Sequence, residues 1–223
     1  GQFADQSSPV VLDGVVYVST SMALYALDAS TGDQLWRNDR SSGKRGFAVA
    51  AGFVFVGVGE YLQALDASTG ELRWSYKTDH NVGAPTVAHG VVYAGSVYLG
   101  SLWSIYALEA SSGKLLWRFE TGESLRSAQT GYSTIAVDSG VVYVTLSTGH
   151  LIGLDAYSGE FVWGHRLARE TYGIASPIVM DGIVYVADYD HIYAIRGAVA
   201  PVEIYTPTPT LTPTATPTAI PTA

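Results

Sequence analysis

Short runs of alternating apolar and small or polar residues recur from end to end of the chain, separated by clusters of Gly, Ser, Thr and Asp. A period of two residues, broken by turn formers, predicts half-buried β-strands joined by tight turns, and no stretch has the spacing of an amphipathic helix. Five runs open on a glycine: Gly14-Val-Val-Tyr17, Gly52-Phe-Val-Phe55, Gly90-Val-Val-Tyr93, Gly140-Val-Val-Tyr143 and Gly182-Ile-Val-Tyr185. A second pattern occurs four times: Ala26-Leu-Asp-Ala-Ser-Thr-Gly-Asp-Gln-Leu-Trp36, Ala64-Leu-Asp-Ala-Ser-Thr-Gly-Glu-Leu-Arg-Trp74, Ala107-Leu-Glu-Ala-Ser-Ser-Gly-Lys-Leu-Leu-Trp117 and Gly153-Leu-Asp-Ala-Tyr-Ser-Gly-Glu-Phe-Val-Trp163. The tryptophans are 38, 43 and 46 residues apart. Several short strands per period of that length predict the four-stranded blades of a β-propeller.

One period can be read strand by strand. Ala84–Ala88 is strand A, His89-Gly90 the hairpin turn, Val91–Ala94 strand B, Ser104–Glu109 strand C, Ala110–Gly113 a second turn and Lys114–Phe119 strand D. Glycine as the second residue of each A–B turn fits a two-residue hairpin with positive φ. The expected fold is therefore all-β, a propeller of four-stranded antiparallel blades with about five blades at 7–42, 43–82, 83–125, 126–173 and 174–200. The fifth lacks the tryptophan turn. Two closures stay open: Gly1–Asp5 completes the last blade of a five-bladed ring, or these blades are a slice of a seven- or eight-bladed one. Beginning at Gly1 with no leader visible, the chain is expected to be a processed product or a fragment.

Composition changes the picture in three places. The net charge of −8 argues against nucleic acid and anionic membrane surfaces as partners, both of which select clustered Lys and Arg. The absence of cysteine removes disulfides, thiolate metal sites and thiol nucleophiles. No apolar run has the roughly 18 residues of a membrane helix. Residues 201–223 alternate Thr and Pro, have no core-forming pattern, and read as a disordered linker or stalk. A stalk open to O-glycosylation favours an extracytoplasmic location, at the periplasm or cell surface.

The repeated Ala-x-Asp-x-x-Thr-Gly-x-x-x-Trp pattern resembles the tryptophan-docking repeat of the pyrroloquinoline-quinone-like propellers. Repeat three departs from it at Glu109 and Ser112, and repeat four at Gly153 and Ser158. The resemblance implies that Trp36, Trp74, Trp117 and Trp163 are structural, each docking one blade on its neighbour. It also implies two alternative functions. Some relatives are dehydrogenases that use the quinone with calcium; others, such as the propeller lipoprotein of outer-membrane assembly, are non-catalytic scaffolds. The dehydrogenases carry adjacent cysteines over the cofactor, and this chain has none. The expectation is a non-enzyme without cofactor or metal, the alternative a fragment of a quinone- and calcium-dependent dehydrogenase. Asp188, Asp190 and His191 could offer metal ligands but read as a solvated turn.

Loop lengths point to one end of the blades. From the acidic turn position to the tryptophan is 8 residues in every repeat. The B–C connections span 8, 8, 13, 9 and 8 residues, and from each tryptophan to the next hairpin glycine is 16, 16, 23 and 19. All the variation lies at the B–C/D–A end and peaks around blades three and four. Variable loops on a rigid scaffold are where binding residues concentrate. The candidate binding face is Tyr98 and Trp103 from the long B–C loop with Arg126, Gln129 and Tyr132 from the long D–A loop. An exposed Trp, Tyr and Arg set suits a protein or glycan partner. The propeller is expected to be monomeric within a larger protein.

Overall fold

Val, Ile, Tyr and Phe alternating with small residues build strands because branched and aromatic side chains pack well on a pleated surface. In the computed structural model, residues 8–20, 22–41, 46–97, 102–124, 135–146, 149–167, 176–187 and 191–196 are described, those at 97, 102–103 and 122–124 by backbone alone. None of these residues is helical.

The strands form five antiparallel sheets in chain order. Blade one is β1 (Val10–Leu12), β2 (Val15–Ser19), β3 (Leu24–Asp28) and β4 (Gln34–Asn38). Blade two is β5 (Phe47–Ala50), β6 (Phe53–Val58), β7 (Tyr61–Asp66) and β8 (Leu72–Lys77). Blade three comprises β9 (Asn81–Val82), β10 (Thr86–Ala88), β11 (Val91–Val97), β12 (Leu102–Glu109) and β13 (Leu115–Ser124). Blade four is β14 (Ala136–Asp138), β15 (Val141–Thr145), β16 (His150–Asp155) and β17 (Phe161–Arg166). Blade five has β18 (Ile178–Met180), β19 (Ile183–Ala187) and β20 (Ile192–Arg196). The innermost strands meet in sequence: β1 against β5, β5 against β10, β10 against β14, and β14 against β18. This is the meander-by-meander construction of a β-propeller.

Two features differ from the sequence reading. Asn81–Val82, assigned to blade two, pairs with Ser96–Val97 and extends the sheet of blade three. Each C–D pair also carries a register break at one fixed place, between Ala26 and Leu27, Ala64 and Leu65, Ala107 and Leu108, and Gly153 and Leu154. The extra residue, immediately before each tryptophan, is a β-bulge that bends strand D and re-aims the indole. The A–B turns match expectation with an addition: the residue before each glycine also has positive φ, at Asp13, Ala51, His89, Ser139 and Asp181. Positive φ at both turn positions is the type I′ geometry that matches strand twist.

The core lies between blades. Each blade has a trailing face toward the next blade in the chain and a leading face toward the preceding one. Tyr17, Leu24, Ala26 and Trp36 of blade one pack on Val54, Val56 and Leu65 of blade two. The same pairing repeats as Phe55, Leu62 and Ala64 on Val92, Tyr106 and Leu108, as Tyr93, Ile105 and Trp117 on Val142, Val144 and Leu154, and as Tyr143 and Leu151 on Val184 and Val186. Among the described residues no apolar cluster joins blade five to blade one.

Candidate functional site

The repeated turn builds the joint between blades. Asp28 Oδ1 accepts from the backbone N–H groups of Ser30 (2.8 Å) and Thr31 (2.9 Å). Asp66 makes the same fork with Ser68 and Thr69, and Asp155 with Tyr157 and Ser158. Such side-chain caps substitute for missing backbone partners in a tight turn. The Ser30 hydroxyl and these N–H groups hold the Asp28 carboxyl down at about 2. Ser68 first, then Arg73 at 2.7 Å, hold the Asp66 carboxyl well below the usual carboxylate range. Glu109, one methylene longer, accepts from the Ser112 hydroxyl.

These turns present a carbonyl and a bare glycine to the preceding blade. Trp36 Nε1 donates to Ala67 O at 2.8 Å, Trp74 Nε1 to Ala110 O at 2.9 Å, and Trp117 Nε1 to Ala156 O at 2.9 Å. The hydroxyls of Tyr17 and Tyr93 donate to the first and last of those carbonyls at 3.3 Å. Burial, helped by nearby carboxylates (Asp13 and Asp66 for Tyr17, Asp155 for Tyr93), raises both hydroxyls above the usual tyrosine value. The turn glycines lie flat on the indoles. A Cβ on Gly70, Gly113 or Gly159 would stand 2.6 Å from Trp36, Trp74 or Trp117 respectively.

Trp163 differs. Its Nε1 is buried and has no hydrogen-bond partner among the described residues. The register places Arg196 of blade five where blade one has Asp28, so no Asp-x-x-Thr-Gly turn meets it. The indole instead lies over its own blade, where a Cβ on Gly153 would be 2.5 Å from Nε1. That contact explains why repeat four has glycine where the others have alanine.

Of the candidate binding residues, Tyr98, Arg126, Gln129 and Tyr132 lie outside the described residues, as do Asp188 and Asp190. Trp103 falls within β12, described by backbone alone. The strands around them are unusual. β13 continues seven residues past its tryptophan, whereas β4, β8 and β17 continue two or three. The hairpin made by β12 and β13 is thus lengthened at the B–C/D–A end, with Leu102 opposite Ser124. Four extra residues add roughly 13 Å of strand.

A polar cluster at the root of this hairpin, missed in the sequence, ties it to blade two. Arg118 Nη2 lies 2.7 Å from both Asp79 Oδ2 and Glu120 Oε1. The buried Ser104 hydroxyl donates to Asp79 Oδ2 at 2.9 Å. Asp79 N donates to Tyr106 Oη at 3.2 Å, and the Arg118 guanidinium sits 5.7 Å from the centre of the Tyr106 ring. Ser96, directly across from Ser104, is fully buried, and its hydroxyl has no partner among the described residues. A signal existed: Tyr before the motif alanine and Arg after the tryptophan occur together in repeats one and three, as Tyr25/Arg37 and Tyr106/Arg118. Both pairs stack, the first at 5.4 Å. The cluster holds carboxylates already paired to a guanidinium, which suits rigid support better than acid–base work.

The family profile described as outer membrane protein assembly factor BamB matches residues 20–197. The chain belongs to the PQQ-like propeller family. Among solved structures, it is similar to the quinohemoprotein alcohol dehydrogenase ADHIIG of Pseudomonas putida HK5, with TM-score 0.68 and 25% identity over 85% of this chain and 40% of that one. BamB from Moraxella catarrhalis matches with TM-score 0.65 and 20% identity over 85% of this chain and 61% of that one. The computationally designed Ika8 protein matches with TM-score 0.68 and 16% identity over 86% and 58%. The chain thus spans about two fifths to three fifths of the length of these structures. Among curated proteins no sequence matches it significantly.

Proposed function

We propose that this chain is a non-catalytic binding module, extracytoplasmic, that receives a protein or glycan partner on its B–C/D–A end, at the lengthened β12–β13 hairpin. The observation that carries this reading is the hairpin itself, extended in one blade and braced at its root by Arg118, Asp79 and Ser104. A rigid projection with a partner-contacting tip loses little ordering entropy on binding. The similarity to BamB, named as an assembly factor, supports a protein as the partner. No helix among the described residues is long and apolar enough to cross a membrane.

The similarity to quinohemoprotein dehydrogenases keeps the enzyme reading as the alternative. Calcium takes six to eight oxygen ligands. Among the described residues no three His, Asp or Glu side chains converge, and the chain has no cysteine. No catalytic step is assigned.

Photo-cross-linking residues placed at Trp103 and at Ser30, on opposite ends of the blades, test the binding reading in a bacterial envelope fraction. Adducts at 103 and none at 30 are expected; the reverse pattern overturns the site. Adding pyrroloquinoline quinone with calcium is expected to leave the quinone absorbance unchanged and dyes unreduced. Dye reduction would establish the alternative.

A further inference from the structure

The fourth repeat departs from the other three at one corner of its blade. Two residues after the acidic turn position stand Ser30, Ser68 and Ser111, then Tyr157. The serine has a use: the hydroxyls of Ser30 and Ser68 donate to the turn carboxylates Asp28 and Asp66. A phenol hydroxyl is too far from its own backbone to repeat that bond. Asp155 is capped instead by the N–H groups of Tyr157 and Ser158 and, at 3.1 Å, by the Ser158 hydroxyl. Two residues before the tryptophan stand Gln34, Leu72 and Leu115, then Phe161; just after it stand Arg37, Ser75 and Arg118, then Gly164. These last two changes are coupled. A Cβ on Gly164 would be 3.2 Å from Phe161 Cζ, so the phenyl ring lies along β17 over bare backbone. Phe161 is opposite Leu154 and Gly164 opposite Ile152, both buried in the joint with blade three. Even in this seat Phe161 is 57% exposed, and Tyr157 is 58% exposed. Repeat four thus gives up a capping hydroxyl and a side chain at 164 to hold two aromatic rings in water.

We infer that Tyr157 and Phe161 form a second docking site, at the A–B/C–D end of blade four, for a basic segment of a protein partner whose Lys or Arg side chains stack on the two rings. The inference goes beyond the binding reading above, which concerns the opposite end of the blades. Charge decides the occupant. Asp155 and Glu160 flank the rings in the chain, and Glu71, Glu109 and Asp138 belong to turns at the same end of blades two to four. Arg73, at that end too, is already paired with Asp66 at 2.7 Å. Such a field draws a cationic segment and repels an anionic one, and a neutral glycan gains nothing from it. Aromatic faces attract guanidinium and ammonium groups. The molecule already makes this contact internally, with Arg37 at 5.4 Å from the Tyr25 ring centre and Arg118 at 5.7 Å from that of Tyr106. The corner is also rigid: its turn holds Trp117 through Ala156 O and Gly159, so the rings lose little freedom on binding.

The probe is fluorescein-labelled octa-arginine, titrated with the full 223-residue chain and read by fluorescence anisotropy. Salt at about 0.15 M screens long-range attraction to a protein of net charge −8. Tyr157→Ser and Phe161→Leu install residues that other repeats have and leave the charge unchanged, so melting temperatures should hold. Wild type is expected to bind saturably, and the double variant about tenfold more weakly. Either single variant serves, with a smaller loss, should the double variant fail to fold. Equal affinity in wild type and variants would reduce the effect to the acidic turns and overturn the inference. No saturable binding by wild type also overturns it, as when residues 197–223 fill the patch. So does cellohexaose that binds wild type but not the double variant, which would assign the rings to a glycan. A wild-type dimer in sedimentation that the double variant dissolves would assign them to a second copy, with the same consequence. A partner adduct at 103 that these variants leave unchanged separates this test from that of the hairpin.

Discussion

At the scale of single residues the tryptophans divide into two kinds, and the division is measurable. Trp36 and Trp117 are each 7% exposed and donate to a neighbour's carbonyl, while Trp163 is half-buried and its N–H has no partner among the described residues. Replacing Trp117 by Phe removes the indole donor, leaves the Ala156 carbonyl with only the longer bond from the Tyr93 hydroxyl, and opens space, a loss of about 1–3 kcal/mol. The same change at Trp163 deletes an orphan donor, so equilibrium unfolding should shift by less than about 1 kcal/mol. Equal losses at the two sites would mean the hydrogen bond to the next blade contributes nothing. The acidic turns make a second prediction. Asp28 titrates at about 2, against 3.8 for an unperturbed carboxyl, so its folded value is depressed. A depressed carboxyl contributes stability above the unfolded value, and that contribution is lost as pH falls through the folded one. Wild type should therefore lose melting temperature more steeply than Asp28→Asn between about pH 4 and 2. Parallel curves would show that the cap does not persist in solution.

At the scale of elements the turn glycines separate conformational need from packing need. Gly32 and Gly113 both have positive φ, but only Gly113 has an indole where a Cβ would go. Gly32→Ala should lose only the left-handed strain of about 1–2 kcal/mol. Gly113→Ala should lose that and also displace Trp74, so urea midpoints should fall clearly further. Similar midpoints would remove the glycine from the joint. The strands themselves were legible because period two, a Gly-second hairpin and a repeated turn all specify the same element. What could not be read has physical reasons. The bulge before each tryptophan leaves the Asp-to-Trp spacing constant, so a count of residues contains no trace of it. The pairing of Asn81–Val82 with Ser96–Val97 is a contact between segments with no local pattern. The Arg118–Asp79 bridge likewise joins residues 39 apart. The proposed binding residues were chosen by loop length, and loop length says where chain is spare without saying what it touches.

At the scale of the whole molecule, the apolar clusters among the described residues lie between successive blades, and such an array is close to one-dimensional, its stability a sum of blade and joint terms. The joints are unequal. Three have an indole hydrogen-bonded across to a capped turn with a glycine against its ring. Among the described residues the fourth has a Trp163 without a partner, no such turn, and a fifth blade of three strands. Opening free energies should therefore fall from the middle of the array toward blade five. Native-state hydrogen exchange reads this directly. Amides of β6, β7, β11 and β12 should exchange only through the largest openings, and those of β19 and β20 through smaller, local ones. Uniform protection across all five blades would mean the molecule opens as a single unit, which unequal joints do not allow.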